Sequence, residues 1–173
     1  MSAFLLAIAL LGSPSVHPWP IGPGPRYTPP ARTAAVSAGK PVGSLTCGPA
    51  GTSFRLHLEL FAGRKVIVVP AGIGVASSGC VYPARTTEPG GIVRVATGKS
   101  LTLGDLFRIW GEPLDAHHLA SFTSRIPVRA YLNGRLVHGP LAAIPLSRHA
   151  EVVLELGPYL APHSFFLFAG GTP

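Results

Sequence analysis

Polar and apolar side chains alternate from Phe54 to Leu60 in the run that ends at Phe61: Phe54, Leu56, Leu58 and Leu60 share one face, and Arg55, His57 and Glu59 the other. Period two with one apolar face predicts a half-buried antiparallel strand. The turn Ala62-Gly-Arg-Lys65 leads into a second strand over 66–69, and 92–95 (Ile-Val-Arg-Val) reads as a third. The period then changes. Leu103, Leu106, Phe107 and Trp110 fall at i, i+3, i+4 and i+7, the stripe of a short helix packed on a sheet. Thr102 stands at its N-cap with Asp105 three residues on, and Gly111 is placed to stop it. Asn133-Gly134 between 128–132 and 135–138 is a hairpin signal, and 151–156 (Glu-Val-Val-Leu-Glu-Leu) reads as a last strand. The expected fold class is α+β, a small antiparallel or mixed sheet with one short helix in a β-grasp-like (ubiquitin-like) order. The alternative is an all-β sandwich carrying one incidental helical turn.

The ends of the chain follow different rules. The apolar run at 3–11 is far shorter than the ~20 residues that span a bilayer, but suits the core of a signal peptide. No Lys or Arg precedes it, so an apolar terminus packed on the domain is the competing reading. Next comes a Pro-, Gly- and Ala-rich tract that includes Pro18-Trp-Pro-Ile-Gly-Pro-Gly-Pro25, which reads as a tether rather than helix or internal strand. The expected organisation is a signal-like or anchor segment over 1–16, a linker over 17–44 and one globular domain over 45–173. The Phe165-Phe-Leu-Phe168 run near the end is expected to be buried, as a last strand by default.

Two cysteines, Cys47 and Cys80, bracket the first strand pair. An even count behind a signal-like segment favours a structural disulfide over a metal–thiolate pair, because no Cys-x-x-Cys spacing is present. That in turn favours an extracytoplasmic location: secreted, periplasmic or cell-surface.

The net charge is +7, with 14 Lys and Arg against 7 Asp and Glu, which favours an anionic partner, either a small oxyanion or an acidic surface. The basic residues are scattered, and neither zinc-finger spacing nor an aromatic RNA-binding motif occurs, so no nucleic acid is expected. Membrane contact is expected only through the amino-terminal segment. There is no Gly-x-Ser-x-Gly elbow, P-loop or dinucleotide fingerprint, so no cofactor is implied and a binding role is favoured over an enzymatic one. Among the acidic residues Glu59 reads as a solvent-face residue, Asp105 as a helix cap and Glu151 as an edge-strand charge. His57 reads as a surface histidine or, less simply, a weak metal candidate with His117, His118, His138 or His149. His117 and His118 are adjacent and point to different sides, so they suit a loop better than one shared ion.

Several motifs carry a resemblance: Leu56-His-Leu-Glu-Leu-Phe61, Val69-Pro-Ala-Gly-Ile-Gly74, Cys80-Val-Tyr82, Leu101-Thr-Leu-Gly-Asp-Leu-Phe-Arg-Ile-Trp-Gly111, Tyr131-Leu-Asn-Gly134 and Ile144-Pro-Leu146. Over residues 47–156 the chain resembles a group of uncharacterised exported bacterial proteins. In that group the same spacing carries a His-x-His on the first strand, a His-x-His-Asp after the second cysteine and a further His on the next strand. The resemblance implies a small secreted domain. Clustered histidines would suit copper or zinc. Here His57 alone keeps its histidine, while Arg55, Arg85, Thr87 and Arg94 occupy the other positions and Glu88 that of the acid. Arginine cannot ligate a cation, so the resemblance implies that such a metal site is degenerate in this chain. If its positions converge, Arg55, Arg85 and Arg94, beside His57, would form a cationic pocket for a carboxylate, sulfate or phosphate. The plainer reading is that these arginines only solubilise the surface.

Overall fold

The computed structural model describes residues 26–27 and 39–168. The apolar segment over 1–16 and most of the linker over 17–44 lie outside the described residues. Among the described residues, ten strands and one α-helix follow in chain order: β1 (Arg26–Tyr27), β2 (Ser53–Ala62), β3 (Lys65–Ile67), β4 (Ala84–Thr86), β5 (Ile92–Ala96), α1 (Leu103–Trp110), β6 (His118–Leu119), β7 (Phe122–Thr123), β8 (Arg129–Leu132), β9 (Arg135–Leu136) and β10 (Glu151–Leu156). The alternating segment is thus the long strand β2. The predicted second strand is shorter than expected, and its run toward Pro70 leaves the ladder, as proline there can give no ladder donor.

The main sheet runs β1-β3-β2-β10-β8-β9, with β5 also paired to β2 and β4 beyond β5. β2 is antiparallel to β3 and β5 on one edge and parallel to β10 on the other, in the register Glu151↔His57 through Leu156↔Ala62. The first long strand and the last strand therefore lie side by side at the centre of a mixed sheet, and the α+β expectation holds. β6 and β7 form only a small separate hairpin. Leu56, Leu58, Leu60, Val93, Val95, Val152 and Leu154 on one sheet face join Leu103, Leu106, Phe107, Ile109 and Trp110 of α1 in a single apolar core. Ile109 adds to the stripe read from the sequence. Among the described residues, no helix is long and apolar enough to cross a membrane.

The helix ends obey their local chemistry. The Thr102 hydroxyl accepts from the Asp105 N–H at 3.3 Å, and the Thr102 N–H donates to the Asp105 carboxylate at 2.8 Å, a complete capping box. Gly111 takes the left-handed conformation that ends the helix. Partial burial alone would raise the Asp105 pKa, but the bonds from the Thr102 N–H and hydroxyl, together with Arg108, outweigh it and hold the carboxyl below its ordinary value. A lowered folded-state pKa contributes stability that is complete above the unfolded value and is lost as pH falls through the folded one. Asp105→Asn is accordingly expected to cost about 1 kcal/mol near neutral pH. The difference from wild type should vanish in the acid limb of a urea-unfolding series. A constant difference down to the acid limb would refute the assignment.

The Asn133-Gly134 signal gives the expected hairpin. Both residues have positive φ, 51° and 75°, and Leu132 pairs with Arg135 across them. The turn is docked on β10: the Asn133 N–H donates to the Glu151 carbonyl, and the Asn133 side-chain oxygen accepts from the Glu151 N–H, each at 2.8 Å. That clamp fixes where β10 begins and so where the Glu151 side chain stands.

Candidate functional site

On the face of β2 opposite the core, Arg55, His57 and Glu59 follow one another, and the parallel register sets Glu151 of β10 directly beside His57. This face is not open to solvent, because the carboxy-terminal segment lies across it. Phe166 stacks on the His57 ring at a centroid distance of 3.8 Å, and His163 Nδ1 lies 2.7 Å from the Glu59 carboxylate. Phe168 is buried between His149 and Arg55, whose guanidinium carbon sits 5.3 Å from its ring. His57, Glu59 and Glu151 are left 2%, 5% and 1% exposed.

These positions correct three expectations. Glu59 is not a solvent-face residue, because the tail covers it. Glu151 is not on an edge strand, since β10 lies between β2 and β8. His57 is buried rather than a surface histidine. The tail itself forms no strand: Phe166 and Phe168 point down onto the polar face while Phe165 and Leu167 remain exposed.

The hydrogen bonding of His57 is restrictive. Its Nε2 lies 2.9 Å from the Gly90 carbonyl, which can only accept, so Nε2 carries a hydrogen. Its Nδ1 lies 2.9 and 3.0 Å from the two Glu151 oxygens. An imidazole lone pair cannot face a carboxylate at that distance with nothing positive between them. Burial pushes the Glu151 carboxyl up, the bond to His57 pulls it back, and nearby Glu59 adds a further push upward, so the group stands above its ordinary value. The loop that delivers the Gly90 carbonyl depends on a glycine. Gly91 has φ +88°, and a Cβ there would lie 2.2 Å from the Leu58 carbonyl oxygen. Beside the cluster opens a cavity of about 320 Å³ whose walls include His57, Glu59, Val69, Pro89, Gly90 and Phe166. A second, more open cleft of about 500 Å³ near Lys65 and Phe122 gathers no comparable set of titratable groups.

The arginines lie one step along the same face. Arg55 pairs in register with Arg94 of β5, and Arg94 with Arg85 of β4, so three guanidinium side chains start from directly opposed positions on adjacent strands. Opposed Cα atoms in such ladders are about 4.5–5.5 Å apart. Arg85 is buried; burial, and then the neighbouring Arg94 charge, lower its pKa. Arg94 Nε donates to the Thr87 hydroxyl at 3.4 Å, while Glu88 is exposed. Among the described residues, no carboxylate forms an ion pair with Arg85 or Arg94.

His117, His118, His138 and His149 do not converge on His57. His118 meets Asp115 on the β6–β7 hairpin at 2.8 Å, with His117 next to it on the Ser124 carbonyl. His138 joins neither group, and His149 belongs to the Phe168 contact. Sequence reasoning missed Glu59, Glu151 and His163 as site residues. The signal for the first two was the alternation itself, which sets Glu59 on the same side as His57, and Glu151 and Glu155 on one side of an otherwise apolar strand. His163 left no signal.

Cys47 and Cys80 form a disulfide, with Cα atoms 5.5 Å apart, as expected. The bond is compatible with an extracytoplasmic protein. No protein-family model, curated protein or solved structure matches the chain.

Proposed function

We propose that this chain is an exported or surface-tethered, non-enzymatic binding domain that takes a small anion, a carboxylate, sulfate or phosphate, on the row Arg55–Arg94–Arg85. The observation that carries the reading is the cross-strand register of the three arginines. Like charges placed directly opposite one another destabilise a sheet. An anion bridging Arg85 and Arg94 would convert that repulsion into forked, charge-assisted hydrogen bonds, for which guanidinium geometry is suited. Burial of Arg85 strengthens the argument, because a desolvated guanidinium gains more from a counter-ion than an exposed one. The disulfide and the basic charge fit a domain that meets its ligand outside the cytoplasm.

Calorimetric titration of the full chain with sulfate, phosphate and acetate at low ionic strength tests the proposal. Saturable binding of at least one of them should weaken tenfold or more in Arg94→Gln, a loss of about 1.4 kcal/mol. It should also fall with added chloride. The exposed Lys99→Gln should bind as wild type does. Equal affinity of wild type and Arg94→Gln would overturn the assignment.

A further inference from the structure

The anion reading uses only the arginine row and leaves the buried cluster beside it unexplained. One donor atom each from His57, Glu59 and Glu151 lies within 4.8 Å of the others, and all three residues are buried. Two carboxylates at such depth are costly unless a positive charge joins them. The tautomer of His57 sharpens the point. With Nε2–H committed to the Gly90 carbonyl, Nδ1 is the ring nitrogen that meets the Glu151 carboxylate, 2.9 Å away. A backbone carbonyl fixing the far nitrogen of a histidine is the usual way a protein aims the near nitrogen at a metal.

We propose that His57 Nδ1, Glu59 and Glu151 hold one divalent first-row transition ion such as Zn²⁺. Imidazole with carboxylate is a donor set such ions accept. Around a tetrahedral ion with ligand distances near 2.0–2.2 Å, neighbouring donors stand roughly 3.4 Å apart. The His57–Glu151 contact therefore has to open by only a few tenths of an ångström. Three protein ligands leave a fourth position, and the cavity of about 320 Å³ beside His57 and Glu59 is the route by which an ion, a water or a small ligand reaches it. His163, bonded to Glu59 at 2.7 Å, falls outside the three-donor group and acts as a positioning residue for that carboxylate. This donor set differs from the one anticipated by grouping His57 with His117, His118, His138 or His149, none of which joins it. It is also independent of the arginine row, so either site can fail without the other.

The test is Zn²⁺ binding by the chelator-stripped full chain, measured by competition with a chromophoric chelator at pH 7.5. Co²⁺ supplies a second readout through its visible absorption. Wild type should bind one Zn²⁺ per chain at micromolar concentration or below. Glu59→Gln should weaken binding about 100-fold, and the half-exposed His163→Ala about 10-fold, as expected for a ligand and for the residue that orients it. His117→Asn with His118→Asn should leave affinity unchanged. Should Glu59→Gln fail to fold, the His163→Ala comparison decides alone. Absence of stoichiometric binding, or binding lost with His117 and His118 but kept in His163→Ala, would overturn the site.

Discussion

Replacing Glu151 by alanine, assayed in the presence of chelator, is expected to lower stability by on the order of 3–5 kcal/mol, the usual cost of removing one member of a buried ionisable pair. Glu151 is 1% exposed and His57 2%, so neither can turn to water when its partner is lost. The His57 ring would keep its bond to the Gly90 carbonyl, but Nδ1 would face a void beneath Phe166. Part of the loss is the polar atom left unsatisfied and part is the space left by the side chain. The two contributions can be separated. Glu151→Gln keeps the volume and a polar atom that can hydrogen-bond Nδ1, so it should lose clearly less. Replacing both members, His57→Phe with Glu151→Leu, should recover much of the single-mutant loss, because an apolar pair leaves nothing unpaired. Urea-unfolding midpoints of the four proteins form the measurement. A Glu151→Ala midpoint equal to wild type would show that the two side chains do not depend on each other.

Breaking the Cys47–Cys80 bond is the second large effect. The cross-link closes a loop with a sequence separation of 33. On the chain-entropy model a loop of that size contributes about 4 kcal/mol by restricting the unfolded chain. Its native partners are local: Gly48 and Val81 exchange backbone hydrogen bonds at 3.0 and 2.8 Å, and the Tyr82 hydroxyl donates to the Lys40 carbonyl. The bond thus fastens the segment that enters the domain to the loop that leads into β4, the strand carrying Arg85. The double variant Cys47→Ser, Cys80→Ser should melt about 10–20 °C below the oxidised wild type. Reduced wild type should melt close to the variant. An unchanged melting temperature with both thiols shown free by alkylation would refute this role.

The elements legible in the sequence are those specified by neighbours in the chain. Strict alternation marked β2, the 3.6-residue stripe and the Thr102–Asp105 box marked α1 from Leu103 to Trp110, and Asn133-Gly134 marked the β8–β9 turn. Each rests on rules that act within about one turn of helix or one strand pleat. Alternation also fixed which side chains share a face of β2, and so grouped Arg55, His57 and Glu59 before any fold was known. Whether that face meets water was beyond its reach, because a period reports orientation and not what lies opposite.

Only the tertiary structure decided that. His57 and Glu151 are separated by 94 positions, and they meet because β10 enters parallel to β2 in one register rather than another. A slip of one residue would turn Glu151 to the apolar face and break the cluster. Arg55, Arg94 and Arg85 come together for the same reason, through strand pairings that no local rule specifies. The burial of Glu59 depends on a tail whose Phe165–Phe168 run announces burial but not the surface it covers, which the folded sheet supplies as His57 and Arg55. The sequence by itself determined the longer strands, the helix, the turn and the disulfide partners, since each follows from chemistry close along the chain or from a count, whereas the short strands β1, β4, β6 and β7 carried no such signal. The chemistry of the polar face arises from contacts across the sheet and beneath the tail, and those exist only once the chain has folded.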